Sequence, residues 1–497
     1  DYVNLEDKNL FDELRLGFNQ GIFQFESEGM NAMLKSMRCE NFDELVAANA
    51  LYRPGPMGIK AHEEFIKNKF NPDKRTYAHN ILAPLLEKTN GVLIYQEQLM
   101  FIANQIGGMS LGEGDNLRKA MDGAGKIISK KLEGKDLTED EENNKNYKSY
   151  KELWKKFIDG AKAKDLSEDD VQKIESWLIK YLGYSFNLSH SLSYSYVAMQ
   201  TLFLKHYYPT EFYCALLNHP KTGNDDEKNK AWLNSALLSA MSKGIKIVPP
   251  NRKSNWNWTI IDSSTIAMGY SSINGMGEIA FKELKVNKVE DMDKEQFFSA
   301  KWSKFNKTNF EACLKAGIFD DWSNSREELK EIKQIKYKQT NQMDLFSGEV
   351  DTVLTIAERK VKKDLPKTTN EQKYAEFLEV CSLDLNLLNK IASVKEQFFK
   401  ATKTNIDSAL NFEDTTKFYY FMINHIEKKT AQWDGSNYYI LTISDGSALK
   451  KVTMSNDMYE KLRPIIETNC FYVTKFFKNK KGFLNFSPSA PFRKVVV

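Results

Sequence analysis

The chain has 497 residues, with 70 Lys plus Arg against 67 Asp plus Glu and a formal charge of +3. That length is about three times a typical domain and excludes one compact unit; two to four domains with their own cores are expected. The near balance of charge rules out neither nucleic acid nor acidic partners, so any DNA-binding surface must come from local clustering. The cysteines (Cys39, Cys214, Cys313, Cys381 and Cys470) are scattered without the paired spacing of a zinc site or a disulfide framework. No stretch approaches the roughly 20 apolar residues that span a bilayer, and no basic-then-apolar leader opens the chain. A soluble, cytoplasmic protein without membrane partners is expected, and an initial Asp rather than Met reads as a fragment or a processed chain.

From about Asp12 to His219 apolar residues recur at spacings of three and four, as in Phe42, Leu45, Val46 and Ala50, which predicts helices. RPGPM at Arg53 to Met57 reads as a rigid, non-helical corner able to hold the Arg53 side chain at a fixed angle, suited to a phosphate contact. In LGEGDNLRKAM a glycine-rich start precedes a helix carrying Arg118 and Lys119. A guanidinium and an ammonium side by side suit a polyphosphate, although a pair of surface cations has the same pattern. The acidic run KDLTEDEENNKN, Lys135 to Asn146, lacks apolar periodicity and reads as a solvated loop. GYSFNLSHSLSYSYVAMQT then brings Tyr184, Asn187 and Ser189 into a helix whose first turns carry His190, Ser191 and Tyr194. Two aromatic rings, an imidazole and helix N-terminal amides can together stack a base and receive a phosphate.

After a polar break at Gly223 to Lys230, AWLNSALLSAMSKG predicts a helix and a turn-rich stretch follows. In SINGMGEIAF, Gly275 and Gly277 flank Met276 ahead of a helix, the pattern of a helix-hairpin-helix turn whose backbone amides hold a DNA phosphate. Asp291 and Asp293 form an Asp-x-Asp inside a charged run with no strand around it, which reads as a solvated face and not as a metal pair. From Asn324 to about Lys373 the chain is charged and poor in apolar residues, a linker. Within it Gln342, Met343, Asp344, Leu345 and Phe346 (QMDLF) have the form of a short peptide that docks into a partner's pocket. Beyond it KFYYFMINHI, NYYILTIS, LKKVTMS, CFYVTKFF and GFLNFS predict about five strands. NDMYEKLRPIIE forms a helix between the third and fourth, the order of an OB barrel.

Taken in order, GIFQFESEGM, RPGPM, GVLIYQEQLM, LGEGDNLRKAM, GYSFNLSHS, MQTLFLKHYYPTEFYCALLN and IKIVPPN resemble the successive signatures of the alpha subunit of bacterial DNA polymerase III, a C-family replicative polymerase. The resemblance implies a multidomain α+β architecture: a remnant over 1–20 leading to a missing palm, and fingers over 21–222. It continues with a helix-hairpin-helix DNA-binding region over 223–335, a linker with a sliding-clamp peptide over 336–374, and an OB-fold domain over 375–497. It implies that Arg118 and Lys119, with Arg53, contact the dNTP triphosphate, that Tyr184 packs on the base, and that His190 lies near the sugar and phosphates. Gly275, Met276 and Gly277 would meet DNA, and QMDLF the sliding clamp.

The implied activity is DNA-directed DNA polymerisation, with primer-template DNA, dNTPs and the clamp as partners and single-stranded DNA as a candidate ligand of the OB domain. The palm carboxylates, and the Mg2+ ions they hold, are expected on a missing N-terminal portion or a separate chain. This chain alone is then inactive, with no catalytic or metal residues of its own. Leu188 stands where that family usually has Lys. The competing reading is a non-catalytic adaptor that binds DNA and clamp at the replication fork.

Overall fold

The computed structural model describes residues 3–17, 19–220, 226–333, 365–402, 406–409, 415–431, 435–444, 449–468, 470–479 and 484–495. QMDLF, Gln342 to Phe346, lies outside the described residues. The chain divides into two compact units, Asp1–Tyr207 and Tyr208–Val497.

The first unit is built from helices, each started by a local signal. Ser110 accepts the amide of Glu113, whose carboxylate returns to the Ser110 amide, and Ser167 and Asp170 repeat the arrangement. These capping boxes satisfy amides that a helix start leaves without partners. The helix Leu111–Leu132 buries Leu117, Ala120, Met121, Ala124 and Ile128, and Lys145–Lys162 packs against it with Tyr147, Tyr150, Trp154, Phe157 and Ala161 turned inward. Close approach needs glycine here: a Cβ on Gly160 would stand 2.0 Å from the Gly107 carbonyl oxygen.

Two expectations need correction in this unit. The acidic run is not a plain loop, because Thr138 caps a short helix, Glu139–Asn143, and Lys145 already opens the next one. Lys130 reaches Glu141 at 2.7 Å and Lys151 reaches Glu142 at 3.1 Å, so neighbouring helices neutralise charges that alone would favour solvation. RPGPM is likewise helical: Pro54–Gly58 forms a single turn with Arg53 as its N-cap. Both prolines fall in the first turn, where an amide hydrogen has no intrahelical acceptor and its absence costs nothing.

The second unit begins with the helices Pro209–Asn218 and Asp226–Ser242 and a three-stranded sheet of β1 (Lys246–Val248), β2 (Thr259–Asp262) and β3 (Thr265–Ala267). Its order is β1-β3-β2, with β1 parallel and β2 antiparallel to β3. Helices Glu278–Val286, Lys294–Ser299 and Lys307–Lys315 follow, around an aromatic core in which Phe297 meets Trp302, Phe319 and Trp322 at 5.0 Å each. Arg326, expected in the linker, is 3% exposed, and helix Asn370–Cys381 starts inside the stretch assigned to that linker.

The C-terminal sheet comprises β4 (Asp407–Ser408), β5 (Tyr419–Thr430), β6 (Asn437–Ser444), β7 (Leu449–Ser455), β8 (Phe471–Thr474), β9 (Phe476–Lys478), β10 (Leu484–Phe486) and β11 (Arg493–Val495). Its path is β11-β8-β5-β6-β7-β10-β9, with β4 paired to β5. The expected count of about five therefore becomes eight described strands. Two are short additions, β4 and β11, and one arises because CFYVTKFF breaks at Lys475. The break lets β8 pair with β5 while β9 pairs with β10, so a mixed, curled sheet results rather than a bare five-stranded barrel.

Helix Asn456–Leu462 lies between β7 and β8, as expected. Phe421, Ile423, Leu441, Ile443, Tyr472 and Phe486 fill the inner face, while Tyr420, Phe471 and Val473 pack with Ile391 and Val394 on the other. Strands covered on both faces lose the alternation that would betray their orientation.

Candidate functional site

The GYSFNLSHS loop of the first unit is fixed by segments far away in sequence. Phe186 donates its amide to the Ile94 carbonyl at 2.8 Å and accepts from the Gln96 amide at 2.9 Å, an isolated bridge beside Tyr95. The Leu188 amide, at the start of the helix Leu188–Tyr207, donates to Glu97 Oε2 at 2.9 Å. Inside the loop the Asn187 side chain accepts the His190 amide at 2.8 Å, and Ser191, fully buried, donates its hydroxyl to the Val46 carbonyl at 2.7 Å.

These links place a row of rings along the helix. Phe186 meets His190 edge-on at 5.3 Å, His190 meets Tyr194 at 4.1 Å, and Tyr194 meets Phe23 at 5.2 Å. Tyr184, beside the row, and Phe23, at its end, are each 39% exposed, so both offer aromatic surface to solvent. Such surface suits a nucleobase, since every base offers a π-face.

Arg53 joins this loop. Its Nε donates to the Ala50 carbonyl and its Nη2 to the Tyr184 carbonyl, both at 2.9 Å, and the guanidinium carbon lies 4.1 Å from the centre of the Phe186 ring. Burial lowers its pKa from the usual Arg value. Beside it Gly55 lies under Tyr184, where an added Cβ would stand 2.5 Å from Tyr184 Cδ1.

Arg118 and Lys119 form a separate group on the Leu111–Leu132 helix. Arg118 Nε and Nη2 both donate to Asp115 Oδ1, at 3.0 and 2.9 Å, and Lys119 Nζ reaches Oδ2 at 2.7 Å. The hydrogen bond from Lys119, followed by that from Arg118, holds the Asp115 carboxyl below the usual carboxylate range. Lys156 bonds Glu113, two residues before Asp115, and, with the Ser110 amide, brings that carboxyl down to about 2. Of the expected nucleotide contacts, the structure thus unites Arg53, Tyr184 and His190 around Phe186, and Arg118 and Lys119 around Asp115. No hydrogen bond, ion pair or ring contact joins the two groups among the described residues; helix Gln96–Gln105 connects them, holding the loop at its start and packing its flank on Leu111–Leu132.

Phe186 and Asp115 were missed as site residues from sequence. Asp115 was legible, because Arg118 and Lys119 follow it at i+3 and i+4, the spacing of helical ion pairs. Phe186 had no such signal, since its partners come from other segments.

In the second unit the glycine hairpin precedes the helix Glu278–Val286, but β3 and a 3-10 turn, Tyr270–Ser272, stand before it in place of a helix. Gly275 has φ +93°, open to glycine at little cost, and its carbonyl accepts from Asn309 Nδ2 at 2.8 Å. Met276 is buried against Cys313, while Asn274 donates its amide to the Val380 carbonyl at 2.8 Å. Gly277, exposed and without a side-chain cap, opens the helix. Asp293 caps the helix Lys294–Ser299, and Asp291 is exposed in a 3-10 turn. Among the described residues no group of three or more His, Cys, Asp or Glu converges to hold a metal, and no helix is long and apolar enough to cross a membrane.

Comparison with known proteins gives this geometry a setting. Residues 1–165 match the bacterial DNA polymerase III alpha subunit finger domain. The chain is 32% identical over 372 residues to the DNA polymerase III subunit alpha of Aquifex aeolicus, covering 73% of this chain and 29% of that relative. It is 27% identical over 490 residues to that of Bacillus subtilis (95% and 40%) and 29% identical over 487 residues to that of Staphylococcus aureus (96% and 42%). The chain therefore spans well under half the length of these relatives while aligning along most of its own.

Proposed function

Starting from its resemblance to the C-terminal half of the DNA polymerase III alpha subunits, we propose that this chain is part of a replicative, DNA-directed DNA polymerase. Its first unit binds the incoming dNTP and its second unit binds primer-template DNA. The observation that carries the reading is the pre-assembled row of rings from Phe186 to Phe23, with Tyr184 beside it, in a chain of this kinship. Tyr184 stacks on the base, His190 faces the sugar and phosphates, and Arg118 and Lys119 exchange part of their bonding to Asp115 for triphosphate oxygens.

In that reaction the primer 3′ hydroxyl gives up its proton to water, its oxygen forms a bond to the α-phosphorus, and the α–β bridging bond breaks to release pyrophosphate. Arg118 and Lys119 act on the departing pyrophosphate, whose charge they partly offset. The amides of Gly277 and the residues after it receive a DNA phosphate, and QMDLF serves as the clamp-docking peptide. Mg2+ would be held by palm carboxylates outside this chain. The described residues do not fit that ion, so no step here is routed through it.

Arg118→Ala, tested by primer extension in a polymerase containing the palm, is expected to raise the dNTP KM about 10- to 100-fold, the loss of charge-assisted hydrogen bonds to phosphate. Unchanged kinetics would remove Arg118 from the site.

A further inference from the structure

We infer that Arg53 is a positioning residue for Tyr184 and not a ligand of the triphosphate, an inference that rests on the proposed nucleotide site and deepens it. The sequence separation makes the point first. Arg53 and Tyr184 lie 131 residues apart, yet Nη2 donates to the Tyr184 carbonyl at 2.9 Å. Nε is committed to Ala50 at 2.9 Å and the guanidinium face to Phe186 at 4.1 Å. The side-on edge of the guanidinium, Nε with Nη2, is therefore spent on two backbone carbonyls and one face on Phe186, contacts that fix the loop and leave only the end-on N–H groups towards solvent.

Neighbouring geometry supports the same role. The Arg53 backbone caps the Pro54–Gly58 turn, and the two prolines fix the direction in which that turn leaves. The turn presents Gly55 as a flat seat for the Tyr184 ring, since a Cβ there would come within 2.5 Å of Cδ1. RPGPM therefore holds Tyr184 from two sides: Arg53 grips its carbonyl and Gly55 receives its ring. Phe186, pinned at Ile94 and Gln96, supplies the stacking surface for Arg53. On this view the motif decides where a base can stack without touching the nucleotide.

Lysine separates the two roles. A phosphate contact made by charge survives Arg53→Lys in large part, whereas an ammonium cannot bond both carbonyls in one plane while stacking on Phe186. The experiment measures amide hydrogen exchange of Phe186 and Gln96 in the full chain, and dNTP KM in the palm-containing polymerase, for Arg53→Lys, Arg53→Ala, Gly55→Ala and Tyr184→Ala. The expected result is exchange faster by about tenfold in both Arg53 variants. KM should rise alike in Lys, Ala and Gly55→Ala, with Arg53→Ala adding nothing in a Tyr184→Ala background.

Wild-type exchange, together with a KM that Lys preserves and Ala loses, would overturn the inference and make Arg53 a phosphate ligand. Faster exchange with dNTP KM unmoved in every variant, Tyr184→Ala included, would uphold the positioning role and sink the nucleotide reading of Tyr184.

Discussion

Arg118 in the first unit and Arg326 in the second both bond an aspartate, and they differ in how much bonding capacity the fold leaves them. Arg326 is 3% exposed, sets Nε and Nη2 on the two oxygens of Asp320 at 2.8 Å each, and directs Nη1 to Glu376 at 2.6 Å and to the Lys315 carbonyl at 3.1 Å. Lys330 and Lys373 complete the cluster at 3.7 and 3.5 Å. Arg118 instead puts Nε and Nη2 on a single oxygen of one carboxylate that Lys119 shares. Donor identity is the same in both places. What separates Arg326 from Arg118 is the number of N–H groups left without a protein partner.

The strongest way to break this comparison is Arg326→Ala. It would leave Asp320 and Glu376 with only their longer contacts to Lys373 and Lys330, and loss of one partner from a buried ion cluster costs about 3–5 kcal/mol. Both carboxylates keep some solvent, with side chains 28% and 24% exposed, so the lower end of that range is expected. Urea unfolding of the second unit reads the effect directly. A loss below about 1 kcal/mol would place Arg326 in the same class as Arg118.

The contrast also explains what was legible in the sequence. Asp115, Arg118 and Lys119 fall within one helical turn or so, and the charge pattern alone predicts their pairing. Asp320 and Arg326 are 6 residues apart and Glu376 is a further 50 on; no spacing rule reaches that far, and Arg326 sat in a run whose charge read as linker. RPGPM and GYSFNLSHS were each recognisable, but their meeting, carried by Arg53 and Gly55, is a tertiary fact that neither motif contains.

The C-terminal sheet repeats the lesson. The strand runs and the helix between β7 and β8 were readable from composition. The break at Lys475 was not, because Phe471 to Phe477 is nearly continuous in aromatic and β-branched residues and only the demand for two pairing partners divides it.

A smaller effect sharpens the comparison from the other side. Asp115→Asn keeps the shape of the carboxylate and removes its charge, so a triad near the surface should lose less than about 1 kcal/mol of stability. The sign of its pH dependence follows from the depressed Asp115 carboxyl. A carboxyl whose folded pKa lies below its unfolded value, about 3.9 for Asp, contributes fully above that value and loses its contribution as pH falls through the folded one. The gap in urea midpoint between wild type and Asp115→Asn should therefore stay constant from about pH 8 to pH 5 and close only below about pH 4. A gap that already narrows near neutrality would mean that Asp115 is not held ionised by Lys119 and Arg118. Arg118 would then be freer than the geometry makes it, and its difference from Arg326 greater still.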